Sequence, residues 1–251
     1  QWQRIVKCFV RIVIELKGES KYSMGDKDIT IYYIQEFERL REKVINVRFN
    51  LIKQYCYDEQ KDYRVAICEQ IDRILIYHDT NMVFFLRYML SPQYVNSLFK
   101  TTEFDSMRIA IDYTARNRQS LIIFIQSVLE AYYIEVCSVL NFKPTQSFSK
   151  LIITLFKGLG ISENTNWFKA NYILAKIRNT LHNNGVHRHK DESIEYRGMI
   201  HQFKQGKPHH SASYECLIMM ISDIVEFLSI IGEKSNHINL ISKNGFTEHS
   251  R

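Results

Sequence analysis

Residues 165–185, TNWFKANYILAKIRNTLHNNG, read as one complete helix with its own start and stop. Thr165, or Asn164 before it, has the short polar side chain that caps a helix N-terminus. Trp167, Tyr172, Ile173, Ile177 and Leu181 recur at helical spacing and form an apolar stripe. Asn183-Asn184-Gly185 ends the run, because Asn and Gly tolerate the left-handed backbone that closes a helix. Arg178 and His182 lie four residues apart in its last turns. On a helix, such positions share a face and sit about 6 Å apart along the axis. A fixed positive charge and a proton-exchanging ring are thus expected on one patch.

Outward from this helix the same period dominates. Residues 211–232 read as a closing apolar helix, and 234–251 as a polar, frayed tail. Between them, Ile194, Tyr196, Met199, Ile200 and Phe203 form two short runs around Gly198, which predicts a small β-hairpin over 193–207. Upstream, 147–156 is a short amphipathic piece followed by Gly158 and Gly160. Residues 105–141 read as one long helix stopped by Pro144. A short helix is expected over 93–102, after the dense apolar run Met82–Leu90. Tyr33, Phe37, Leu40, Val44, Val47, Leu51 and Tyr55 form a seam along a helix over 29–57. It pairs with a second helix whose inner face carries Val65, Cys68, Ile71, Leu75 and Tyr77. Residues 19–28 read as a polar loop. Residues 1–17 read as an amphipathic helix rather than a signal peptide, since Arg4, Lys7 and Arg11 recur through them.

Composition agrees. The 251 residues include only 9 Gly and 3 Pro, too few for a turn-rich sheet protein. A hydrophobic fraction of 45% supplies a substantial core. The expected fold is all-α: a helical bundle with a small β-hairpin insertion and an N-terminal helical hairpin. Its regions run 1–102, 103–233 and 234–251. Glu130 and Glu135 make 119–140 a poor membrane span, as Asp223 and Glu226 do for 216–232, so no membrane partner is expected. Cys8, Cys56, Cys68, Cys137 and Cys216 are widely spaced in apolar helical patterns, without a CxxC pair. This points to a reducing, cytoplasmic setting. The net charge of +6 suits an anionic partner without requiring one.

RNA carries its own nucleophile, the 2′-hydroxyl. Cleaving it requires moving protons and stabilising charge on the phosphate. Imidazole exchanges protons near neutral pH, and guanidinium forks onto two phosphate oxygens. RNTLHNNG, preceded by an amphipathic helix and followed by YRGMIHQFKQGKP and an apolar helix, resembles the HEPN superfamily over roughly 103–233. These helical bundles recur in prokaryotic toxin, abortive-infection and CRISPR-linked defence proteins. Their hallmark is an arginine, commonly followed by asparagine, with a histidine a few residues on. The resemblance implies a metal-independent endoribonuclease with no cofactor, working as a homodimer with two motifs face to face. Carried onto this chain, the catalytic residues are Arg178, Asn179 and His182. Three residues separate Arg178 from His182, fewer than the family usually has.

Further polar residues extend the patch. His187, Arg188, Lys190, Arg197, Lys204 and Lys207, with Tyr196 and Phe203, can form a cationic, aromatic rim for single-stranded RNA. Arg116 and Arg118 on the long helix can add phosphate contacts. Glu130 can pair with Arg178 and fix its rotamer, and Asn183 can support the motif. His187 and His189, with Asp191 or Glu192, are the best metal candidates, but without a second spaced pair no metal site is assigned. The seam from Tyr33 to Tyr55 is either internal packing or a surface for a partner protein. The same residues fit a second function: a non-catalytic interaction or sensing module that binds RNA, a nucleotide or a protein.

Overall fold

A computed structural model describes residues 24–100, 103–143, 145, 147–183, 185–208 and 212–242. The expected helix at 1–17, Cys8, Pro144, Asn184, His209, His210 and the last residues of the tail lie outside the described residues. Among the described residues the chain is all-α apart from one two-stranded hairpin. Helix α1 spans Met24–Tyr55 and α2 spans Tyr63–Phe84. A single π-helical turn, Phe85–Met89, continues α2. Helix α3 covers Pro92–Phe99, α4 Glu103–Val139, α5 Phe148–Gly158 and α6 Asn166–His182. Strands β1 (Glu192–Tyr196) and β2 (Met199–Phe203) precede α7, Tyr214–Lys234.

Helix α1 starts inside the stretch read as a loop. Its buried face reaches back to Thr30 and Ile34, so the apolar seam begins a turn before Tyr33. Phe37, Leu40, Val44 and Leu51 pack inward, which makes the seam internal. Helix α1 lies against both α2 and α7. Gly232 of α7 allows the closest approach: a Cβ there would meet Leu51 Cδ2 at 2.3 Å. Tyr57 Oη donates to the Gly232 carbonyl at 2.6 Å. Tyr77 departs from expectation. It is 57% exposed and meets Phe124 edge-on, because Leu75 and His78 already fill the inner face of its turn. Cys56 departs too. It is exposed beyond the end of α1, at φ +56°, whereas Cys68, Cys137 and Cys216 are buried.

Helix α4 packs against α2, α5 and α6. From Asp105 to Val139 it is long and apolar enough to cross a membrane by length and composition. Here Leu121, Ile125, Leu129, Tyr132 and Val136 form its buried stripe. One continuous buried cluster runs from Ile34 to Ile241, across the change in sequence character near residue 102.

The tail is not frayed over its first residues. Arg64, fully buried, pairs with Asp62 and donates to the carbonyls of Ser235 (2.7 Å) and Ile238 (3.0 Å). Its guanidinium lies 3.5 Å from the Tyr57 ring centroid. Tyr63 N–H donates to the Ile241 carbonyl, and Asp62 bridges Ser242. Polar composition suggested solvent, but a buried cation needs acceptors, and the carbonyls of this segment supply them.

Candidate functional site

Helix α6 holds the motif, and its packing decides which side chains remain available. Thr165 caps it by accepting from Phe168 N–H at 3.2 Å. Ala170, Asn171, Ile173, Leu174 and Ile177 face the core. Asn171 accepts from Tyr133 Oη of α4 at 2.7 Å, Trp167 Nε1 donates to Glu226 of α7 at 3.2 Å, and Lys176 pairs with Glu192 of β1 at 2.6 Å. These anchors fix the roll of α6. They leave Arg178 and Asn179 half-exposed and His182 exposed at its end. Arg178 and His182 form no hydrogen bond or ion pair among the described residues. Their position at the helix C-terminus, where carbonyls point outward, suits positive charge.

His182 borders an open hollow of about 340 Å³, lined also by Gln119, Ile123, Leu181 and Gly185. Helix α4 runs antiparallel to α6 here, since Tyr133 meets Asn171 while Gln119 and Ile123 meet the far end. Gln119 and Ile123 escaped the sequence reading. Their signal was spacing: both fall on the face that starts at Arg116. Arg116 is exposed about one turn from Gln119. Arg118 faces another way, with its guanidinium 5.4 Å from the Tyr214 ring centroid, and does not join the hollow. Asn183 supports the motif through the backbone: its Nδ2 donates to the Asn179 carbonyl at 2.8 Å. Gly185, at φ +81°, returns its N–H to the Thr180 carbonyl. Glu130 is half-buried and does not pair with Arg178, because it lies about two turns beyond Ile123 on α4.

The hairpin differs from the expected RNA rim. Tyr196 and Phe203 are fully buried, and Arg197-Gly198 form a two-residue turn with φ +48° and +77°. Arg197 forks onto Asp223 of α7, Nε at 2.9 Å and Nη2 at 2.5 Å, while Tyr196 Oη donates to the same carboxylate at 2.6 Å. That pair raises the Arg197 pKa, and burial with Asp223 raises that of Tyr196. Both are structural. His187 is 1% exposed, with Nε2 3.1 Å from the Lys190 carbonyl. Its backbone bonds to Gly206 and Lys207 and ties the two loops together. Arg188, Lys190, Lys204 and Lys207 remain exposed around that tie. Among the described residues, no three His, Cys, Asp or Glu side chains converge for a metal.

The chain matches no protein-family model, no curated protein and no solved structure.

Proposed function

We propose that the protein is a HEPN-like, metal-independent endoribonuclease acting on single-stranded RNA. The observation that carries this reading is the end of α6, where half-exposed Arg178 and exposed His182 stand one turn apart, their side chains without a hydrogen-bond or ion-pair partner among the described residues. In the proposed step the RNA 2′-oxygen attacks phosphorus and the P–O5′ bond breaks. The products are a 2′,3′-cyclic phosphate and a 5′-hydroxyl. His182 takes or gives one proton, and Arg178 stabilises the phosphorane charge. Asn179 orients a phosphate oxygen or the imidazole. Arg188, Lys190, Lys204, Lys207 and Arg116 draw in the backbone electrostatically. The buried thiols Cys68, Cys137 and Cys216 fit a reducing, cytoplasmic setting, and a toxin or defence effector is the biological role that goes with the chemistry.

Two protons move in this reaction, and among the described residues His182 is the one acid–base side chain lining the hollow. A second copy supplies the missing group. Ile123 of the hollow's lining and Ile134, three turns along the same face of α4, are both partly exposed and give a homodimer apolar contacts. The same shortage supports the second reading, in which the monomer binds RNA or a nucleotide without cutting it. Incubation with end-labelled RNA in excess chelator separates the two. Cleavage whose specific rate rises with protein concentration fits the enzyme. Tight binding with intact RNA fits the module and overturns the nuclease.

A further inference from the structure

A second cavity, of about 460 Å³, lies beyond the turn of α4 that carries Arg116 and Gln119. Natural small-molecule sites span about 300–1,000 Å³. Its walls come from α1, α2, the π-helical turn, the start of α3, α4 and α7. Met82, Phe85 and Met89 line its body, and the wider π turn sets Phe85 and Met89 side by side on one wall. Ile29, Met107 and Ile111 line it too and are all more than half exposed, which makes an apolar entrance. Asn117, Arg118 and Tyr214 are among its polar lining residues, with Ser106 three turns away along α4. Asn117 is buried beside the His78 ring and the Tyr214 hydroxyl. Burial raises the Tyr214 pKa, so its hydroxyl stays a donor. Arg118 is half-exposed and stacks on Tyr214, and no carboxylate lies within ion-pair distance of it among the described residues. An apolar chamber whose one guanidinium makes no ion pair among the described residues, set among hydroxyl and amide groups, selects an apolar body with an anionic head.

We infer that this cavity binds an amphipathic carboxylate, its apolar body between Met82, Phe85 and Met89 and its head on Arg118 and Asn117. A guanidinium grips a carboxylate with two parallel hydrogen bonds. The site shares no lining residue with the His182 hollow, so it stands or falls independently of the nuclease reading.

Calorimetric titration of the full chain with decanoate, and with decylamine as the cationic counterpart, tests the assignment. Decanoate binds saturably at one site per chain, and decylamine binds at least about tenfold more weakly. Arg118→Met removes that preference while the melting temperature holds. Ala110→Trp, or Ile111→Trp should the first variant fail to fold, fills the cavity and abolishes decanoate binding. Absence of saturable decanoate binding overturns the inference. So does equal affinity for the two probes, or unchanged affinity in a folded tryptophan variant.

Discussion

Arg178 and Arg197 sit nineteen residues apart and look alike in sequence, yet the fold uses them in opposite ways. Arg197 reaches back from the hairpin turn to Asp223, a carboxylate 1% exposed, and its guanidinium is neutralised there. Among the described residues Arg178 meets no acid, and it stays half-exposed at the end of α6. Position along the chain does not separate the two. What separates them is whether the neighbouring helix offers a buried acceptor. A paired arginine holds structure; an unpaired one beside an exposed histidine is free to hold a phosphate.

This contrast breaks into measurable parts. Asp223→Ala has the largest expected effect. It orphans the buried Tyr196 hydroxyl and frees the Arg197 guanidinium, which is 42% exposed, and costs about 3 kcal/mol of stability in denaturant unfolding. RNA affinity of the still-folded fraction stays within about twofold, and a large loss would move the hairpin arginine into the RNA site. Arg178→Ala gives the mirror result. Single-turnover cleavage falls about 100-fold, near 2.7 kcal/mol, while the melting temperature holds because the side chain has no partner among the described residues.

Asp79 sharpens the comparison as a buried acid with no hydrogen-bond partner among the described residues. Both its carboxylate oxygens are unsatisfied, and burial holds its pKa up to about 8. The folded protein therefore keeps a proton there that the unfolded chain loses near pH 4, and stability falls as pH rises from about 4 to 8. His78, pushed down to about 4 by burial, acts oppositely below its unfolded value of about 6.5. Of these two groups, Asp79 alone contributes above that pH. Asp79→Asn removes a decline of roughly 1–2 kcal/mol between pH 6.5 and 8, read from urea unfolding at each pH. The smallest effect is expected of Arg116→Ala. It lowers the slope of log affinity against log salt by about one and weakens binding evenly across sequences, as a phosphate contact does.

Much of the architecture was legible from periodicity. The α1 seam, the single long α4, the Thr165 cap and the Gly185 stop follow from local rules that neighbours did not override. The fates of polar residues were not legible. Tyr196 and Phe203 looked like a rim, but strand alternation turns them inward onto α7. Residues 234–242 looked like a tail, but Arg64, some 170 residues earlier, needed their carbonyls. Arg116 and Arg118 looked equivalent, and two residues of helix separate their faces by about 200°. Each reversal comes from a distant partner, which spacing along the chain does not encode.

The central claim is that His182 moves a proton during RNA cleavage. Its most direct test is the cleavage rate of end-labelled single-stranded RNA in excess chelator, wild type against His182→Ala, at equal melting temperature. The wild type leaves cyclic-phosphate ends, and the variant cleaves at a rate at least about 100-fold lower. Equal rates from the two proteins would contradict it, as would intact RNA in both.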